Sequence, residues 1–191
     1  MAAGMPLRPP SLEVASNLPP CAPPRRGFVL GIDPGTRVVG FGALRMTADG
    51  PRLIGAGVLR PTASADVALR LAEIRSGLDR LLAELRPEVV VVEQAFAARN
   101  VQSALRIGEG RGVVISAAAA VGATVVQVAP AEAKKALVGN GQAHKTQVAA
   151  MAARLLGLEQ VPEPLDASDA LALALTHVLR SPHWRSGAAA T

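Results

Sequence analysis

The chain has 191 residues, half of them hydrophobic, and a formal net charge of +5. That is enough for one domain with a sizeable core, and the basic balance suits a polyanionic partner such as nucleic acid, although a merely basic soluble protein would read the same way. A single cysteine, Cys21, excludes an internal disulfide and a cysteine-based zinc cluster and fits a reducing cytoplasm; no apolar run approaches the roughly 18 residues of a membrane span.

Residues 1–26 carry seven of the 15 prolines and neither a helical nor a strand period. They read as a disordered leader without the continuous apolar core of a secretory signal. The domain is expected from Gly27 to residue 181, with a flexible tail over 182–191. Phe28 to Ile32 is an apolar run that reads as a buried strand ending at Asp33. Pro34-Gly35 forces a tight turn, and Val38–Met46 continues as a second strand. Asp49-Gly50 signals a hairpin into a third strand, Arg52–Leu59, so the three strands form an antiparallel meander.

Over Ala65–Arg86, residues Leu71, Ile74, Leu78, Leu82 and Leu85 recur at helical spacing, and Pro87 ends that helix. Four consecutive valines inside Glu88–Glu93 predict a strand buried on both faces. The loop 94–100 leads into a helix at about Val101–Val121. A fifth strand, Thr124–Val128, follows. A short helix runs from Pro130 to Gly139, and the glycine-rich loop Gly139–Ala143 precedes helices at His144–Leu156 and Asp166–Arg180. Three antiparallel strands followed by alternating helix and strand predict an α/β domain with a mixed five-stranded sheet and helices on its faces. The fourth strand is expected beside the first, which makes Asp33 and Glu93 neighbours.

A carboxylate closing a buried strand is costly unless a cation meets it. Asp33 and Glu93 both stand in that position. Asp166 and Asp169, three apart at the start of the last helix, project from one face. If that helix packs over the first strand, four acids converge, and like charges so close need a counter-ion. Magnesium or manganese suits an all-oxygen donor set, and two ions about 3.5–4 Å apart would clamp an in-line displacement at phosphorus. Each acid also has an ordinary alternative. Asp33 can shape its turn, Glu93 can be a surface acid, and Asp166 with Asp169 can cap the helix.

The only lysines, Lys134, Lys135 and Lys145, fall in one short segment among basic residues that are otherwise arginine. This is either chance or a demand for compact point charges. Phe96 is one of four aromatic residues and lies in a polar loop beside Arg99 and Asn100. It either stacks on an unpaired base or tucks into the core. Gly108, Gly110 and Gly112 in one helix permit close approach, by a second copy or within the monomer.

The stretches FVLGIDPGTRVVGFG, VVVVEQAFAARNVQSALRIGEGRG, ALVGNGQAHKTQV and DASDALALALTH, in this order between Gly27 and Val178, together resemble the RuvC family of bacterial Holliday-junction resolvases. The resemblance implies a ribonuclease-H-like fold and a homodimer. It further implies magnesium- or manganese-dependent paired nicking of a four-way DNA junction, and work alongside the RuvA–RuvB branch-migration complex. It places the catalytic, metal-holding acids on Asp33, Glu93, Asp166 and Asp169; some relatives carry histidine at the third position, where this chain keeps Asp166. It assigns important basic roles to Lys134 and Lys145 and a junction-contacting role to Phe96. Arg99 and Lys135, near these residues in sequence, are further DNA-binding candidates. The DPGT turn also resembles the phosphate hairpin of actin-like ATPases and sugar kinases, which need two such domains and about twice this length. A non-catalytic junction-binding scaffold of the same fold is the other alternative.

Overall fold

The computed structural model describes residues 23–94 and 101–181. Its elements are β1 (Arg25–Asp33), β2 (Val39–Thr47), β3 (Gly50–Leu59), α1 (Val67–Leu85), β4 (Pro87–Glu93), α2 (Val101–Ala120), β5 (Thr124–Val128), α3 (Pro130–Val138), α4 (Lys145–Leu155) and α5 (Leu165–Arg180). The strands form one sheet in the order β3-β2-β1-β4-β5. β1 runs antiparallel to β2 and parallel to β4, and β5 joins the far side of β4 in parallel. This is the mixed sheet the element order predicts.

Boundaries shift by one or two residues from the expected ones, and at two elements the cause is visible. Backbone pairing begins at Arg25, two residues ahead of the expected start at Gly27. The Arg25 N–H donates to the Arg86 carbonyl at 2.6 Å, and Arg25 lies opposite Pro87. Composition shows the prolines before Arg25 but not the strand waiting beside it. α1 starts at Val67 because the Asp66 carboxylate accepts the Leu69 N–H at 2.8 Å, a side-chain cap. It ends where Arg86 turns left-handed, with φ 47°, just before Pro87.

Alternation along the strands sorts the core into two layers. Val29, Val89 and Val91 face α3, α4 and α5, whereas Leu30, Ile32, Val90 and Val92 face α1 and α2. The valine run of β4 is thus split evenly between the layers, as a strand covered on both sides requires.

α5 lies against the centre of the sheet, and its residues from Ala170 to Thr176 are all buried. Glycines make the seat. Gly31 and Gly42 face each other across β1 and β2, and Gly40 faces Asp33. A Cβ at Gly31 would stand 1.9 Å from the Ala170 carbonyl oxygen, one at Gly40 2.1 Å from that of Asp166, and one at Gly42 2.6 Å from the Leu171 side chain. No side chain fits at those positions, so the helix axis drops close to the sheet. Ser168 fastens the start of the helix, its buried hydroxyl donating to the Pro162 carbonyl at 2.6 Å. Among the described residues no helix is long and apolar enough to cross a membrane.

Candidate active site

The site is assembled from strand ends. β1 and β4 run in parallel with Ile32 beside Val92, so the next residue of each strand, Asp33 and Glu93, leaves the sheet at neighbouring positions. Both continue the alternation of Val29, Val89 and Val91, and therefore project on the α5 side. Gly40, the cross-strand partner of Asp33, has the Asp166 main chain directly above it. The same absence of a Cβ that seats α5 brings its acidic first turns over Asp33. Asp169 follows one turn along.

Asp33, Glu93 and Asp169 line one cleft of about 260 Å³ together with Lys134 from α3 and Lys145 from the start of α4. Pro130, Ala133, Val148, Ala172 and Leu173 supply its apolar wall. His144 caps α4. Its ring nitrogen accepts the Thr146 N–H at 3.4 Å, and the His144 backbone N–H donates to the Gln147 side-chain oxygen at 2.9 Å, which places Lys145 in the first turn. Asp166 acts on Asp33 and Asp169 electrostatically without lining the cleft.

The alternative role of Asp166 as a helix cap does not occur. α5 begins at Leu165 after Pro164, and no side chain caps it. Asp166 sits inside the first turn, where the helix dipole favours a negative charge but makes no use of the carboxylate as a cap. The acids are held near one another and not spent on local structure.

Charge is crowded here. Burial, then Glu93 and Asp169, then a hydrogen bond to Glu93, and finally Asp166 push the Asp33 carboxyl from its ordinary 3.8 up to about 7. Glu93 is also raised, by burial and Asp169, against the lowering effects of the Asp33 hydrogen bond and Lys134. The bond between them raises Asp33 and lowers Glu93. Burial raises Asp169 as well, and Asp166 adds to this, while Lys145 and Lys134 pull it down. The two lysines offset only part of the negative charge.

A hard divalent cation fits this donor set, which is all carboxylate oxygen. Among the described residues no three acidic, histidine or cysteine side chains surround one point as a finished cage. The acids lie side by side, Asp33 hydrogen-bonded to Glu93, with the two lysines across the cleft. A cation among them would offset the mutual repulsion that adds to burial in raising all three groups.

The three lysines separate. Lys134 and Lys145 line the acidic cleft, whereas Lys135, one residue further round α3, lines a different concavity with Glu132 and Arg180. Phe96 and Arg99 lie outside the described residues. Pattern reading of strands and acids passes over the glycines that seat α5. The available signal was their spacing: Gly31, Gly40 and Gly42 interrupt β-branched and aromatic strand positions, and glycine within a strand marks close backbone approach.

A family model described as crossover junction endodeoxyribonuclease RuvC matches residues 29–177. A crossover junction endodeoxyribonuclease RuvC of Moorella thermoacetica is 43% identical over 158 residues, covering 83% of this chain and 94% of that protein. One from Chlorobaculum parvum is 43% identical over 153 residues, covering 80% and 82%. Among solved structures, Thermus thermophilus RuvC in complex with a Holliday-junction substrate aligns with a TM-score of 0.73 at 32% identity, over 84% of this chain and 97% of that one. The yeast mitochondrial Holliday-junction resolvase aligns with a TM-score of 0.61 at 14% identity, over 88% and 84%, a likeness of fold. With the acidic strand ends and the α5 acids placed as described, and with this identity across nearly the whole domain, the chain belongs to the RuvC family of crossover junction endodeoxyribonucleases.

Proposed function

We propose that this protein is a metal-dependent, structure-selective endonuclease that resolves four-way DNA junctions in recombination and repair. It cuts by paired nicks that leave 5′-phosphate and 3′-hydroxyl ends. The observation that carries the reading is the convergence of Asp33, Glu93 and Asp169 with Lys134 and Lys145 in one cleft, where Asp33 is pushed up to about 7. A purely structural cluster gains nothing from half-buried, mutually repelling acids. A cation-binding site needs them.

Asp33, Glu93, Asp166 and Asp169 would hold magnesium or manganese, two ions in all, since four carboxylates can neutralise two dications. The bound metal supplies activation of water and stabilisation of charge at the scissile phosphate. The chain's own groups do the rest. Asp33, raised by burial and by its acidic neighbours, would be ionised when it serves as an oxygen ligand. Lys134 and Lys145 present ammonium groups at the cleft wall, where they hold a DNA phosphate and meet the negative charge that grows on it during displacement.

The two-fold symmetry of a junction calls for two sites. α2 offers a face for a second copy: Val101, Leu105 and Ile107 are 75%, 58% and 39% exposed. A Cβ at Gly108 or Gly112 would meet nothing within 4 Å, whereas Gly110 is used inside the chain, against Gly35. The reading therefore includes a homodimer through α2, junction contact by Phe96 and Arg99 from the loop before it, cooperation with the RuvA–RuvB complex, and a cytoplasmic location.

The test is a labelled synthetic four-way junction incubated with the protein across magnesium, manganese and chelator. Symmetric nicks that need the metal are expected. Binding without cutting in every metal would overturn the enzyme reading in favour of a scaffold, and ATP turnover without nicking would favour a kinase-like domain.

A further inference from the structure

Glu93 ends β4, and its main chain is gripped from the opposite face of the sheet. Arg111, on α2, donates from Nε to the Glu93 carbonyl at 3.2 Å and from Nη2 to the Gln127 side-chain oxygen on β5. Glu93 pairs with Val128, the residue after Gln127, and the Gln94 N–H donates to the Val128 carbonyl at 2.8 Å. One planar guanidinium therefore ties together the ends of two parallel strands at the point where β4 ends. A fork with fixed donor directions suits that task in a way a lysine would not.

The preceding residue extends the grip to the other acid. Gly110 packs so tightly against the turn after Asp33 that a Cβ would stand 2.8 Å from the Gly35 carbonyl oxygen. Adjacent residues of one rigid helix thus touch the chain two residues beyond Asp33 and the main chain of Glu93 itself. Both carboxylates face α5, while this brace stands on the α2 side and never enters the cleft.

We infer that Arg111 is a positioning residue for the cleft: it clamps the Glu93 main chain to β5, and with Gly110 seated on the Asp33 turn it makes α2 the gauge that fixes the spacing of the two strand-end acids. The inference rests on the proposed nuclease reading for its effect on cutting, though not for the clamp itself. Outer partners of metal-holding groups act in this way, and their loss costs about 10- to 100-fold in metal affinity or activity.

The experiment compares wild type with Arg111→Met, which keeps much of the stem's bulk and removes the donors, and with Arg111→Lys. Amide hydrogen exchange is read on the peptide over 89–94 and on α1 and α5, alongside single-turnover nicking of the junction at graded manganese. Arg111→Met is expected to speed exchange at 89–94 alone, slow nicking about tenfold or more and raise the manganese needed for half-maximal rate, with Arg111→Lys in between. Gln127→Ala, which frees half of the fork and leaves the rest of the helix intact, gives a smaller effect in the same direction and serves if Arg111→Met yields little folded protein. Unchanged local exchange, faster exchange throughout the chain, or local exchange that speeds up without slower nicking would overturn the inference. If wild type itself does not nick, the nuclease reading falls and the exchange data alone decide the clamp.

Discussion

Replacing Asp33 by asparagine separates the stability of this fold from its chemistry. The wild-type carboxyl titrates at about 7 in the folded protein against an ordinary 3.8. Between those values the folded chain holds a proton that the unfolded chain has released. Stability without metal therefore falls as pH rises through this window, and the whole cost is present above about pH 7. At ~1.4 kcal/mol per pH unit the ceiling is ~4 kcal/mol, and solvent relaxation around a partly exposed cleft brings the expected penalty to about 1–3 kcal/mol. The Asp33→Asn amide cannot ionise and still offers an N–H to Glu93. At pH 8 in chelator it is expected to melt several degrees above wild type, since 1 kcal/mol moves a domain of this size by about 2–4 °C. The gap should close toward pH 4. Manganese should raise the melting temperature of wild type at pH 8 and do little for the variant, because ligand binding stabilises only what it binds. Nicking should be lost while junction binding stays. Thermal melts by circular dichroism at the two pH values decide the matter. A variant no more stable than wild type at pH 8 would refute the crowded-acid account.

Gly40→Ala tests the seat of α5. The new methyl would stand 2.1 Å from the Asp166 carbonyl oxygen, which is backbone and cannot swing away, so about 1–3 kcal/mol of stability and most nicking should go; urea melts and rates matching wild type would contradict this. Lys145→Ala removes the largest influence holding down Asp169 and should slow single-turnover nicking about tenfold or more; an unchanged rate and junction affinity would take Lys145 out of the site. Leu105→Asp places a charge on a side chain that is 58% exposed in the monomer, so it should leave the fold intact and shift the protein to monomer in sedimentation; an unchanged dimer would move the interface off α2.

What the chain shows unaided is local. Four valines in a row mark β4 as covered on both faces, leucine spacing marks α1, Asp49-Gly50 marks the β2–β3 hairpin, and acids at the ends of apolar runs mark Asp33 and Glu93 as costly unless put to use. Those features depend on near neighbours and a repeating period, so they can be read in order. The rest depends on which surfaces meet. Asp166 reads as a cap until Pro164 is seen to start the helix, and Lys134 and Lys135 look alike until α3 docks with one of them toward the acids. Arg25 reads as leader until it pairs beside Pro87, and Arg111 is one arginine among many until α2 brings it to the Glu93 carbonyl. Residues 31, 40 and 42 matter for what they lack: the missing side chains let a helix more than a hundred residues away in the chain settle onto β1 and β2, and only that contact turns scattered carboxylates into a site.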